Sequence, residues 1–222
     1  MIRMLCFGTL LALAVCGASA DEYWFAYEAT DRFPEEEGWR RITTGGGAVR
    51  SLENGQLIID GRAGIEITDR YEMNLGGNLD PDPGELFVAR WRVRVDEVTG
   101  FADPAVSVRS DENRAVLFRY DENRVFNLFE PNASAQFTPR VFHDFEFRSP
   151  DMLTYELDID GRLAITGSLR PTVLQSRVSW GDSTQGATSL ASWDYFRFGV
   201  VPEPMPASML LVAFLAIRRD QR

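Results

Sequence analysis

Between residues 21 and 200 apolar and polar positions alternate with a period of two, and no window carries the 3.6-residue period of a long amphipathic helix. In Glu85 to Val98, Ala89, Trp91, Val93 and Val95 take one face and Arg90, Arg92 and Arg94 the other. In Val141 to Phe147, His143, Phe145 and Phe147 oppose Asp144 and Glu146; in Thr154 to Asp160, Tyr155, Leu157 and Ile159 oppose Glu156 and Asp158. Turn signals separate the runs: Glu53-Asn54-Gly55, Asp60-Gly61, Ser149-Pro150-Asp151, Asp160-Gly161 and Gly181-Asp182. Apolar-in, polar-out alternation is the mark of antiparallel sheets with one solvated face. The pattern predicts an all-β chain of about a dozen strands, the size of a jelly roll of two stacked sheets. Longer loops are expected at Asn74 to Gly84, which holds Asp80-Pro81-Asp82-Pro83, and at Gly181 to Ser192. Asp111-Glu112-Asn113-Arg114 recurs as Asp121-Glu122-Asn123-Arg124; each copy precedes an apolar run, which predicts two consecutive hairpin turns.

The two ends break this pattern. Residues 1–20 carry one basic residue, Arg3, then an apolar stretch from Met4 to Val15, then Ala18-Ser19-Ala20. That order is the charged region, apolar core and small-residue cleavage site of a secretory signal peptide, with cleavage expected after Ala20. A lipoprotein signal using Cys16 is the competing reading, although bulky Val15 precedes it. Both cysteines, Cys6 and Cys16, lie in this segment, so the rest of the chain can form neither disulfides nor thiolate metal sites.

At the other end, Val201-Pro202-Glu203-Pro204 precedes an uncharged stretch, Met205 to Ile217, and the basic end Arg218-Arg219-Asp220-Gln221-Arg222. Residues 201–222 resemble the PEP-CTERM sorting signal of bacterial exported proteins. That resemblance implies recognition by an exosortase-type membrane transpeptidase, transient anchoring in the inner membrane and removal of the tail near the motif. Arg218, Arg219 and Arg222 would stay on the cytoplasmic side by the positive-inside rule. The apolar run is short: Ala207 to Ile217 gives only about 16 Å of helix, and a C-terminal amphipathic or core helix is the alternative.

The middle segment carries a second resemblance. Tyr155 to Leu163 (YELDIDGRL), the closing Ser192 to Gly199 (SWDYFRFG), and Gly38-Trp39 with Asn54-Gly55-Gln56-Leu57 are similar to strands of concanavalin A-like lectin/glucanase (LamG-type) domains. The resemblance covers about residues 25 to 200 and implies a fold, not a reaction. Residues 21–200 are therefore expected to form one concanavalin A-like β-sandwich.

Charge narrows the partners. The chain has a formal net charge of -10, and every basic residue is Arg. An acidic domain offers no electrostatic footprint for nucleic acid.

Candidate chemistry is sparse. Glu156, Asp158 and Asp160 alternate along one strand with carboxylates about 7 Å apart, and laminarinase-type hydrolases of the fold just named carry their nucleophile and acid on such a row. Here Asp160 falls in an Asp-Gly hairpin turn, where its carboxyl is expected to turn to its own backbone, and Glu156 and Asp158 are expected to form a solvated outer face. The single histidine, His143, sits among Phe145 and Phe147 and reads as a satisfied core residue. Triads, zinc sites and phosphate loops have no material, since Gly45-Gly46-Gly47 lacks a following Lys and helix. Sandwich lectins stack aromatic rings on sugars and order loops with calcium. Trp180, Asp80 and Asp82 are of the right types, against competing readings as a core-edge ring and solubilising acids. The expectation is an exported, non-catalytic cell-surface or extracellular protein with polysaccharide as its partner. The alternatives are a glycoside hydrolase and a structural matrix protein without a ligand.

Overall fold

The computed structural model describes residues 25–64, 67–74, 79–100, 103–183 and 186–203. The signal segment with Ala18 and Ala20, and the tail from Pro204 through Arg218, Arg219 and Arg222, lie outside the described residues. In chain order the first strands are β1 (Phe25–Glu28), β2 (Arg40–Thr44), β3 (Val49–Glu53), β4 (Gln56–Asp60), β5 (Thr68–Met73) and β6 (Glu85–Gly100). Then come β7 (Ala105–Arg109), β8 (Arg114–Tyr120), β9 (Arg124–Asn127), β10 (Glu130–Gln136) and β11 (His143–Ser149). The last are β12 (Thr154–Ile159), β13 (Arg162–Ser168), β14 (Arg170–Pro171), β15 (Arg177–Asp182) and β16 (Ala187–Pro202).

They form two eight-stranded antiparallel sheets. The first runs β13-β12-β11-β6-β16-β4-β3 with β1 added on β16; the second runs β10-β9-β8-β7-β15-β5-β2 with β14 added on β8. The surplus over a dozen strands is in short pieces such as β14, too brief to show a period. The Asn-Gly and Asp-Gly hairpins form as their chemistry dictates. Asn54 and Gly55 have φ of 54° and 73°, Asp160 and Gly161 of 51° and 72°, the left-handed pair that a two-residue turn needs. Both Asp-Glu-Asn-Arg copies turn consecutive hairpins, β7–β8 and β8–β9.

The spine of the first sheet is the pairing of the sixteen-residue strands β6 and β16, from Ala187↔Gly100 to Pro202↔Glu85. The expected face assignment of β6 holds: Ala89, Trp91, Val93 and Val95 are buried in the core, while the arginines between them are partly exposed. Phe145, Trp91 and Phe196 are register partners across β11, β6 and β16. Their rings stack, with centroids 5.6 and 5.8 Å apart, and Trp180 of the second sheet stacks on Phe196 at 5.4 Å. Offset-stacked aromatic rings at these separations add to what area burial alone contributes.

Two expected boundaries move. The loop expected at Gly181 to Ser192 is mostly strand: β15 ends at Asp182 and β16 begins at Ala187. Ala187, Ser189 and Ala191 alternate as small buried residues, too weakly apolar to signal a strand in sequence. The sandwich also runs past residue 200. Val201 and Pro202 pair with Leu86 and Glu85, and the Glu203 N–H donates to the Gly84 carbonyl at 2.9 Å. The first three residues of the motif are thus held to the first sheet rather than lying outside it. Pro202 is tolerated because β16 pairs there on one side only, with β6.

Candidate functional site

The outward face of the first sheet carries the acidic row singled out above. Arg148 on β11 lies between its members: its guanidinium donates to Glu156 Oε2 at 3.1 Å and to Asp158 Oδ1 at 2.9 Å, with Glu146 Oε1 at 3.3 Å. Burial works against the Arg148 charge, but these carboxylates hold its pKa above the ordinary value. Glu156 is half exposed, whereas the Asp158 side chain is only 10% exposed. The solvated outer face expected for both therefore holds for Glu156 alone, because Arg148 and a strand irregularity at Leu157/Asp158 cover Asp158. Arg90 pairs with Glu146 at 2.6 Å and Arg92 with Asp194 at 3.4 Å. A groove of about 580 Å³ beside this network is lined by Leu86, Arg148, Glu156, Gly167 and Glu203.

Asp160 does not turn to its own backbone. Its Oδ1 accepts the Asp144 N–H at 3.0 Å and its Oδ2 lies 2.7 Å from His143 Nδ1, so the carboxylate fastens the hairpin tip to β11. The other ring nitrogen, Nε2, lies 2.9 Å from the Thr138 carbonyl. Both ring nitrogens face an acceptor, and His143 is buried against Phe137 and Phe145, the core position that its setting predicted. Burial pushes the Asp160 carboxyl up, but the His143 and Asp144 hydrogen bonds outweigh it and hold the carboxyl below its ordinary range. A lowered folded-state pKa gives stability that is present above the unfolded pKa of about 3.9 and lost as pH falls through the folded value. The margin of the wild type over Asp160→Asn is accordingly expected to shrink on acidification below about pH 4. Denaturant melts from pH 6 to pH 2.5 check this; a margin that grows toward low pH contradicts it.

Three candidate ligand residues are relocated. Trp180 is 1% exposed and packs against Tyr27, Trp39, Tyr71 and Trp193 in the centre of the core, so it cannot stack on a sugar. Asp80 Oδ1 accepts the Asp111 N–H at 3.1 Å, while Asp111 Oδ2 accepts the Leu79 N–H at 2.7 Å, a reciprocal clasp between two loops. Burial first of all raises the Asp80 carboxyl. Asp82 is exposed and shapes the turn into β6 through a Glu85 N–H to Asp82 carbonyl bond of 2.9 Å. Calcium takes six to eight oxygen ligands. Asp80 and Asp82 do not converge into such a set, and among the described residues no group of three or more acids or histidines is placed to hold a metal.

The outward face of the second sheet is chemically distinct and was not singled out from the sequence. On β15, Val178 and Trp180 point into the core and Arg177, Ser179 and Gly181 point out; on β7, Ala105, Ser107 and Arg109 alternate outward against Val106 and Val108. Ser179 faces Glu72 on one side and Ser107 on the other, and Arg177 faces Arg109 directly. The floor of this face is therefore small: Ala105, Ser107, Ser179 and Gly181. Around one end stand Arg40, Arg70, Arg109 and Arg177. The outward positions of β5, β15, β7 and β8 carry a single carboxylate, Glu72, 1% exposed beneath Arg40 and Arg177. The Arg177 Nη1 donates to Glu72 Oε2 at 2.8 Å, and Arg70 Nε is 3.7 Å from the same oxygen. Burial pushes the Glu72 carboxyl up, but these arginines hold it below its ordinary range.

No family profile and no curated protein matches the chain. Solved structures do. A carbohydrate esterase from Shiga toxin-encoding bacteriophage phi24B is 14% identical with a TM-score of 0.61, over 82% of this chain and 99% of its own. The laminarinase from Flavobacterium sp. UMI-01 is 14% identical with a TM-score of 0.56, over 80% and 99%. The carbohydrate recognition domain of Emp47p is 12% identical with a TM-score of 0.52, over 82% and 98%. The fold is the concanavalin A-like jelly-roll sandwich. At these identities the likeness establishes the architecture alone, and a concanavalin A-like sandwich is a frame on which both catalysis and binding occur.

Proposed function

We propose that this chain is an exported, non-catalytic polysaccharide-binding protein of the cell exterior, sorted by its C-terminal tail. The observation that carries the reading is the composition of the two sheet faces. Glycoside hydrolysis needs two carboxyl groups, one of them free to donate a proton, about 5–5.5 Å or 6.5–9.5 Å apart across the bond. Acids of the first sheet are paired with arginines, Glu156 and Asp158 with Arg148, Glu146 with Arg90 and Asp194 with Arg92. On the second sheet the outward positions of β5, β15 and β7 present one carboxylate, Glu72, beside Arg70, Arg109 and Arg177. That second face instead offers partly exposed arginine donors above a floor of small, buried side chains, suited to holding a polar chain of rings. The sandwich likeness to carbohydrate-active and carbohydrate-recognising domains supports the same reading.

The test is a panel of neutral and charged polysaccharides offered to the full chain, read both for binding and for released reducing ends. Binding without hydrolysis is expected, with Glu156→Gln and Asp158→Asn binding as the parent does. Hydrolysis that either substitution abolishes would replace this reading with the hydrolase alternative.

The tail supports export. Because Glu203 contributes a backbone N–H to the sheet, Glu203→Ala is expected to shift stability by no more than about 0.5 kcal/mol while blocking removal of the tail. Intact mass of the exported protein decides it: loss of the residues after about 204 is expected, and a species still ending at Arg222 contradicts the sorting reading.

A further inference from the structure

Arg40, Arg70, Arg109 and Arg177 gather on the outward face of the second sheet, in a chain whose formal net charge is -10. Glu72 is the carboxylate among them. Arg40 and Arg177 reach it directly, and Arg70 stands at 3.7 Å. Arg109 makes no hydrogen bond or ion pair among the described residues. It nevertheless sits opposite Arg177 in register, and like charges directly opposite each other on neighbouring strands destabilise a sheet. Burial, followed by the Arg177 and Arg70 charges, pushes the Arg109 guanidinium down to about 10, and Arg177 is lowered too, chiefly by burial. The Nε–H groups of Arg70 and Arg177 are buried without an acceptor. Three guanidiniums thus share one carboxylate and the fourth, Arg109, has none, at a site where a protein selected only for stability would place an acid or a neutral residue.

We propose that Arg70, Arg109 and Arg177 bind the anionic groups, carboxylate or sulfate, of an acidic polysaccharide laid across β5, β15 and β7. This rests on the polysaccharide-binding reading and deepens it. A guanidinium presents a planar fork that meets such an oxyanion through two parallel hydrogen bonds. Arg109 and Arg40 are three strands apart, about 14 Å at the usual strand spacing. The patch therefore takes successive residues of an extended chain rather than one small anion. Ser107 and Ser179 lie between the arginines and are buried at 6% and 5% exposure, so the arginines carry the contact.

Arg109 separates binding from folding. Removing it relieves a like-charge pair and breaks no bond, so Arg109→Ala is expected to melt no lower than the parent. The full chain is titrated calorimetrically with polygalacturonate, with dextran sulfate, with neutral laminarin and with duplex DNA, at low and high salt. The acidic polysaccharides are expected to bind, more weakly as salt rises, and to lose about tenfold or more in Arg109→Ala, the scale of one charge-assisted contact. Arg109→Lys, which keeps the charge without the fork, is expected to fall between. The carboxylated and sulfated arms identify which anion is preferred. Laminarin bound as tightly as polygalacturonate, with Arg109→Ala unaffected, overturns the inference and leaves the binding reading standing. Binding of no polysaccharide overturns both, and DNA bound as tightly as polygalacturonate overturns specificity for a glycan.

Discussion

Trp91→Ala is expected to destabilise the sandwich by about 3–5 kcal/mol, the cost of deleting a large ring from a packed core. Trp91 is fully buried and lies between Phe145 and Phe196 in the stack that joins three strands of the first sheet. Its Nε1–H also donates to the Tyr120 hydroxyl of the second sheet at 2.7 Å, one of the polar ties between the layers. Truncation leaves a cavity and a buried hydroxyl without its donor, so Trp91→Phe, which refills most of the volume, is expected to recover more than half of the loss. Urea unfolding of the three proteins measures this. A loss under about 1 kcal/mol for the alanine variant would mean that Trp91 is not the core of the fold.

Asp69→Ala is expected to be nearly as costly, about 3 kcal/mol, because removing one partner from a buried ion pair strands the other. Asp69 is fully buried at the edge between the sheets. Arg41 grips its carboxylate through two nitrogens, with Nε to Oδ1 at 2.8 Å, and Arg50 Nε stands 3.9 Å away. Arg50 in turn donates to the Tyr71 hydroxyl at 2.6 Å and to Glu35 Oε1 at 2.8 Å, which ties β3 of the first sheet to β5 of the second. Asp69→Asn, which keeps one acceptor oxygen, is expected to lose less. Equal losses for the two variants would show that shape rather than charge is at stake there.

The sheets were legible where a strand alternates strongly. Along β6 each apolar residue is inside and each arginine outside because a half-buried strand cannot do otherwise without burying charge. Asn54-Gly55 and Asp160-Gly161 were legible for an equally local reason, their tolerance of positive φ. Trp180 was not. Set between Ser179 and Gly181, it has small neighbours on both sides, and Val178 alone marks its face as apolar. Asp158 was not either, since its cover, Arg148, comes from the neighbouring strand. The arginine face was hidden for the same reason on a larger scale. Arg70, Arg109 and Arg177 are far apart in sequence, and only the order β5-β15-β7 brings them together. The weak alternation Ala105-Val106-Ser107-Val108-Arg109 gave no strong face to either side.

The claim that function resides on the outward face of the second sheet is tested most directly by NMR of the full chain, following backbone amides and arginine Nε–H signals during titration with a bound polysaccharide. The largest shifts are expected at Arg70, Arg109, Arg177, Ser107 and Ser179, with β11, β12 and β13 unmoved. Shifts centred on Arg148, Glu156 and Asp158, with the arginine face silent, would contradict the account.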